Sequence, residues 1–331
     1  VLVTGAGSLL LGSVADALAA RGDQVVCLQR RPVHRAPGID VVQGDVRDRA
    51  AVEQAMAGCD AVLHGAARVG IVGSWDDFRS VNVDGTANVL VAARAAGVPR
   101  VVHVSTPSVA HAGDSIVGAG AEPAVTGRSG AWYAESKALA EQIALDADDA
   151  SLAVVAVRPH LVWGPGDTQL VGRIVERARA GRLAMVGDGS ALIDSTYLDN
   201  AVDAHVAALD ALHPGAACAG NAYVVANGEP RTVRELLAGI CAAAGVPFAP
   251  RRVPLRAARA VGSAVERVWP LLRRDDEPPI TRFLADQLGT AHWFDPRPAQ
   301  RDLGWTPRVS LDEGFARLAH WFTEGASDQR A

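Results

Sequence analysis

The chain has 331 residues, a net charge of −5 and a pI near 6.0, with 49% hydrophobic and 21% charged residues. This is the composition of a soluble globular protein of one large or two ordinary domains, and the lack of a dense basic tract argues against nucleic-acid binding as its main task. No apolar run reaches the ~18 residues of a membrane span. Cys27, Cys59, Cys218 and Cys241 are scattered without a C-x-x-C pair, so reduced thiols in a cytoplasmic protein are expected.

In chain order, strands are predicted at Val1–Thr4, Gln24–Leu28, Asp40–Gln43, Ala61–His64, Arg100–Ser105 and Ala153–Arg158, separated by alanine-rich helical stretches. Short strands without polar alternation are covered on both faces. The predicted fold is therefore α/β, a doubly wound parallel sheet of the Rossmann type, with ligands at the carboxyl ends of its strands. "WGPGD" at 163–167 reads as a boundary turn, dividing a sheet domain at 1–165 from a smaller, mostly substrate-binding lobe at 166–331. One more strand, Ala222–Ala226, is expected to rejoin the sheet. From Leu255 to Leu272, Ala258, Val261, Val265, Val268 and Leu272 recur at helical spacing. They make one apolar face, either packed on the smaller lobe or serving as a lid.

The first loop, "TGAGSLLLGS", has glycines at 5, 7 and 12 and fits neither common spacing of a dinucleotide loop. Gly5 keeps the tight-turn position, Gly7 and Ser8 are small where a pyrophosphate would approach, and Leu11 stands where close helix–strand packing calls for glycine. A shifted helix start or a wider helix–sheet gap is the expected consequence. Thirty-one arginines accompany a single lysine, Lys137, four residues after Tyr133 in "YAESK". On a helix the two side chains share a face, and a neighbouring ammonium favours phenolate in a group whose ordinary pKa of ~10 makes it a poor proton shuttle. The alternative is an exposed helix pair. "VVHVSTPSV" ends a strand in Ser105, Thr106 and Ser108, where a hydroxyl suits a substrate carbonyl or merely caps a turn. The second strand runs into Gln29, Arg30 and Arg31. An NAD enzyme of this fold usually places an acid there, whereas arginines suit a ribose 2′-phosphate, so NADP(H) is predicted. No H-E-x-x-H and no Cys/His cluster supports a metal. His111 and His160 follow sheet strands and are expected to be structural rather than pocket residues, and Tyr197 and Asp199 to link the lobes.

"GDVRD" (44–48), "HGAA" (64–67), "VNVDGTANVL" (81–90), "STPSV", "YAESK" and "RPHLVWGPG" (158–166) resemble, in order and approximate spacing, the extended short-chain dehydrogenases/reductases. The resemblance implies that Tyr133 transfers a proton, that Lys137 holds the nicotinamide ribose and lowers the phenol pKa, and that Thr106, with Ser105 as fallback, orients the reacting oxygen. It implies a cofactor path along Gly5, Gly7, Ser8, Leu9 and Leu10, past Gln29, Arg30 and Arg31, with Asp45 and Val46 at the adenine. Ala66 and Ala67 would run beside the cofactor, Pro159 would pass the nicotinamide, and Asn82 would support a water or the backbone. Segments 163–183, 186–205 and 277–294 resemble the 3β-hydroxysteroid-dehydrogenase-like branch, nearest to bacterial 2-alkyl-3-oxoalkanoate reductases of long-chain olefin biosynthesis.

This implies reduction of the 3-ketone of a lipid-like 2-alkyl acid by NADPH, olefin-pathway partners such as a β-lactone-forming enzyme, and a homodimer through helices near 86–96 and 133–146. Trp269, Leu271, Leu272, Phe283, Leu284 and Trp293 are candidates for an alkyl-chain wall. The rival readings are a sterol or other hydroxy-ketone dehydrogenase, a nucleotide-sugar epimerase or dehydratase, and a non-catalytic NADP(H) sensor.

Overall fold

The computed structural model describes residues 1–33, 35–70, 72–110, 114–127, 131–269 and 281–328. Its first half runs β1 (Leu2–Thr4), α1 (Leu9–Ala20), β2 (Val25–Gln29), β3 (Ile39–Gln43), α2 (Arg49–Met56), β4 (Val62–His64), α3 (Trp75–Arg79), α4 (Gly85–Ala95), β5 (Arg100–Val104), β6 (Ile116–Ala119), α5 (Trp132–Leu145) and β7 (Ala153–Pro159). The second half continues with β8 (Val162–Trp163), α6 (Val171–Arg179), β9 (Ala184–Val186), β10 (Leu192–Ile193), β11 (Thr196–Tyr197), α7 (Leu198–Ala211), β12 (Ala222–Val225), β13 (Arg231–Thr232) and α8 (Val233–Ala243). It closes with β14 (Arg251–Val253), α9 (Leu255–Val268), α10 (Arg282–Gly289), β15 (His292–Phe294), α11 (Arg297–Leu303) and α12 (Leu311–Asp328).

The main sheet has the order β12-β7-β5-β4-β1-β2-β3, and every pair in it is parallel. Successive residues of each strand serve opposite faces. Val3, Leu63, Val102 and Val155 join Leu11, Val14 and Leu18 of α1 and Leu209 of α7 in one core. Leu2, Val62, Val101 and Val154 join Val52, Met56, Val89 and Ala144 from α2, α4 and α5 in the other. Two apolar faces explain why the inner strands carry no polar alternation; β3, at the edge of the sheet, was expected to be covered on both faces but is half-exposed, with Val41 turned to solvent. The strand order reverses between β1 and β4, which opens a crevice at their carboxyl ends.

A separate core holds the second half together, with Trp163 stacked on Phe315 at 4.7 Å and edge-on to Tyr197 at 5.4 Å. Asp199 pairs with Arg317 of α12 at 2.8 Å. The apolar stripe of α9 does not form one face. Ala258 packs with Ala285 of α10, and a Cβ on Gly262 would lie 2.4 Å from the Arg282 nitrogen. Backbone contact at Gly262 centres the buried face on Ala258 and Gly262, turning Val261 and Val268 to solvent at 52% and 48% exposure. Leu272 lies outside the described residues.

Candidate active site

Ser8 caps α1: its Oγ accepts from the Leu11 nitrogen at 3.3 Å and donates to the Gly5 carbonyl at 3.1 Å. Gly5 has φ +81°, which glycine alone adopts without strain, and a Cβ there would strike the Ala66 backbone at 2.8 Å. The helix starts at Leu9, directly after the turn. Room for Leu11 comes from the next strand's loop: a Cβ on Gly65 would meet the Leu11 side chain at 2.9–3.0 Å. The late Gly12 has its own reason, since a Cβ there would lie 2.4 Å from the Arg35 guanidinium. That guanidinium bonds the Ala6 carbonyl and Asp16.

A cavity of about 360 Å³ lies over the crevice. Gly5, Ser8 and Leu10 form its floor, and Gln29, Arg30, Asp45 and Val46 one end. Ala66 and Ala67 form a side wall; Ser105, Thr106, Tyr133, Lys137 and Pro159 close the other end. Four residues predicted for the cofactor stand off this wall. The Gly7 N–H donates to Gln29 Oε1 at 3.1 Å, Leu9 packs against the core, and Arg31 points into solvent. Asn82 sits in a π-helical turn at Ser80–Asp84. It clamps the backbone, accepting from the Arg68 nitrogen at 2.7 Å and donating to the Arg68 carbonyl at 3.1 Å and Ser136 Oγ at 2.9 Å. Sequence reasoning missed Gly65, Val69 and Val81 on the wall. Gly65 lay in the quoted "HGAA" and Val81 opened the quoted "VNVDGTANVL"; Val69 belonged to no quoted motif.

Tyr133 is in the first turn of α5 and Lys137 one turn on. Thr106 caps the short turn Pro107–Val109, its Oγ1 donating to Ser108 Oγ at 3.2 Å, and shares the cavity end with the Tyr133 phenol. Lys137 Nζ donates to the Val104 carbonyl at 2.6 Å and lies 3.5 Å from His103 Nε2. Burial pushes the phenol up to about 12, against the pull of Thr106, and brings Lys137 down to about 8. The phenol is raised rather than depressed, with desolvation the leading cause, and the Lys137 ammonium donates to the Val104 carbonyl. Beneath Lys137, burial drives His64 to about 3 and His103 well below its ordinary value, so both imidazoles are neutral. The Arg47 guanidinium holds Asp45 below the usual carboxylate range.

Ser105 Oγ is buried on the cavity wall with no hydrogen-bond partner among the described residues, a donor and acceptor available to a ligand. With the α1 N-terminus on the floor, these groups suit a dinucleotide's phosphates at one end and its reactive ring at the other.

The sequence matches the 3-beta hydroxysteroid dehydrogenase/isomerase family over residues 27–255, more than half the chain. The chain belongs to that family. It is 50% identical to the 2-alkyl-3-oxoalkanoate reductase of Stenotrophomonas maltophilia (strain K279a), covering 96% of this chain and 98% of the relative. It is 41% identical to the protein of the same name from Shewanella oneidensis, over 96% and 84% of the two chains. A double mutant of the dTDP-glucose 4,6-dehydratase DesIV of Streptomyces venezuelae, solved with NAD bound, has the same fold, with a TM-score of 0.73 at 24% identity over 98% and 97% of the chains. The protein is an oxidoreductase acting on CH–OH groups, and its cavity suits a nicotinamide cofactor.

Other sequence candidates lie elsewhere. Trp269, Leu284 and Trp293 are not on the cavity wall; Leu271, Leu272, the Phe283 side chain and His111 lie outside the described residues. His160 is buried, its Nδ1 donating to the Asp194 carbonyl at 2.6 Å and its ring edge-on to Phe294, a structural placement. No metal-holding cluster occurs, and no helix is long and apolar enough to cross a membrane, among the described residues.

Proposed function

We propose that the protein reduces the 3-keto group of a long-chain 2-alkyl-3-oxoalkanoic acid to the 3-hydroxy acid with NADPH, in olefin biosynthesis. The half-identical reductase, aligned over nearly the whole of both chains, carries this reading. Bound along this cavity, NADPH would supply the hydride for C3. Thr106, with Ser105 beside it, hydrogen-bonds the carbonyl oxygen, and Tyr133 gives that oxygen its proton as charge develops. A phenol held near 12 stays protonated at neutral pH, the resting state that reduction requires, and a forming alkoxide is basic enough to take its proton. Lys137 would hold the nicotinamide ribose. Gln29 in place of an acid and Arg30 at the cavity end favour the 2′-phosphate.

A homodimer through α4 and α5 belongs to the same reading, as does a pathway partner that closes the hydroxy acid to a β-lactone. The test is NADPH oxidation with 2-alkyl-3-oxoalkanoates beside 3-ketosteroids and UDP-sugars. Turnover confined to steroids or sugar nucleotides refutes the substrate; cofactor binding with no turnover of any carbonyl favours a sensor.

A further inference from the structure

Beside Lys137 lie two buried imidazoles that the proposed reaction does not use. Lys137 Nζ donates to the Val104 carbonyl at 2.6 Å and lies 3.5 Å from His103 Nε2. An ammonium can only donate, so Nε2 accepts and the ring proton sits on Nδ1. His103 Nδ1 is buried with no hydrogen-bond partner among the described residues. A lone buried N–H is costly, but the other tautomer would aim an N–H at the ammonium. The unpartnered proton is what accepting from Lys137 entails.

The ring is held in place for this. His64 pairs with His103 across β4 and β5, with ring centres 5.6 Å apart. His64 is fixed at both nitrogens, Nδ1 by Thr4 Oγ1 at 2.8 Å and Nε2 by Thr86 Oγ1 at 3.0 Å. Thr4 Oγ1 also accepts from the Gly65 and Ala66 nitrogens, which ties the histidine pair to the cavity wall. Lys137 lines that cavity. Val104 and His103 engage two of its three N–H groups, and the third is left for a ligand.

On its own helix, Lys137 also faces Tyr133 and Glu141; the Glu141 charge favours the ammonium but is itself bonded to Arg158 of β7. Charged groups on the other elements packed against α5 are engaged elsewhere or exposed. Asp76 and Asp77 of α3 are exposed, Asp84 of the π-helical turn pairs with Arg79 at 3.5 Å, and Arg94 of α4 donates to the Ala147 carbonyl at 2.6 Å. Burial strips water from the ammonium, and each acceptor offsets part of that loss.

We propose that His103 is a positioning residue: by accepting one N–H of Lys137 it keeps that group an ammonium and leaves its third N–H facing the cavity. The inference rests on the reading above only in taking the cofactor as the cavity's occupant.

Lys137 is the chain's single lysine, so isotope-labelled lysine gives one Cε NMR signal, and its pH midpoint is that of Lys137 with no cofactor present. The expected midpoint is about 8 in the wild type. It should fall by roughly one pH unit in His103→Phe and stay close to the wild type in His103→Gln, whose amide oxygen can accept. The loss of NADPH affinity at high pH, read by fluorescence titration, should begin correspondingly earlier in the Phe variant. A second measurement needs no variant to fold: imidazole nitrogen shifts of the wild type should show His103 as the Nδ1–H tautomer. An Nε2–H ring at His103, or an unmoved lysine midpoint in folded His103→Phe, overturns the proposal. A shifted midpoint with an unchanged NADPH profile upholds the positioning of Lys137 and refutes its ribose role.

Discussion

The fit of Leu11 against Gly65 can be tested by a double-mutant cycle. Gly65 is not among the glycines with positive φ, so alanine meets no backbone penalty there and the substitution reports packing alone. Its Cβ would sit 2.9 Å from Leu11 Cγ and 3.0 Å from both Cδ atoms, on a side chain only 4% exposed and walled by α1 and the sheet. The branch carbon itself is struck, so rotation about χ2 gives no relief, and overpacking of this kind costs about 1–3 kcal/mol. Leu11→Ala removes a buried side chain and costs about 2–5 kcal/mol. With Leu11 shortened, the new methyl fills part of the vacated volume, so Gly65→Ala should cost about zero in that background, a coupling of roughly 1–3 kcal/mol. Urea unfolding of the four proteins by tryptophan fluorescence measures this, with a second probe to check two-state behaviour. Additivity within ~0.5 kcal/mol would refute the direct exchange of bulk between these positions. Gly65 also lines the cavity, so the single variant should bind NADPH more weakly and the double variant recover part of that loss.

Tyr133→Phe should lower turnover about 10²–10⁴-fold while leaving NADPH affinity within a few-fold, read by single-turnover kinetics and fluorescence titration; equal losses in both would make the residue structural. Burial lowers Lys137 from 10.5 to about 8, so between those pH values the unfolded chain binds more protons than the folded one, and stability rises with pH across that window. NADPH affinity should move the opposite way, falling above about pH 8 as the ammonium loses its charge. In Lys137→Met both slopes should vanish; if either persists, Lys137 is not its source. Gln29→Asp should shift preference toward NADH, and Arg30→Ala should weaken NADPH about 10–100-fold relative to NADH, whereas Arg31→Ala, off the cavity, changes little. Comparable kcat/KM for the two cofactors in the wild type would refute the 2′-phosphate reading.

The parallel sheet was legible because hydrophobic runs of Val and Leu without alternation have one explanation, burial on both faces, and all the predicted strands are found within a residue or two of their expected bounds. "YAESK" was legible for a local reason: residues four apart on a helix share a face wherever the helix sits. What escaped depends on partners distant in sequence. Leu11 reads as an error in a glycine loop until β4 is placed beside β1 and Gly65 supplies the missing space. Gly12 reads as a late glycine until Arg35 crosses over it. The raised phenol was not legible because spacing places Tyr133 and Lys137 on one helix face but does not report how deeply both are desolvated, nor that the ammonium donates to the Val104 carbonyl. The stripe on α9 failed likewise: periodicity identifies an apolar face, but the close approach at Gly262 decided which part of it is buried. Side chains whose placement follows from their own helix or strand can be read locally, whereas those that shape the cavity's ends answer to neighbours brought by the fold, so specificity is the part of this site most weakly written in any short stretch.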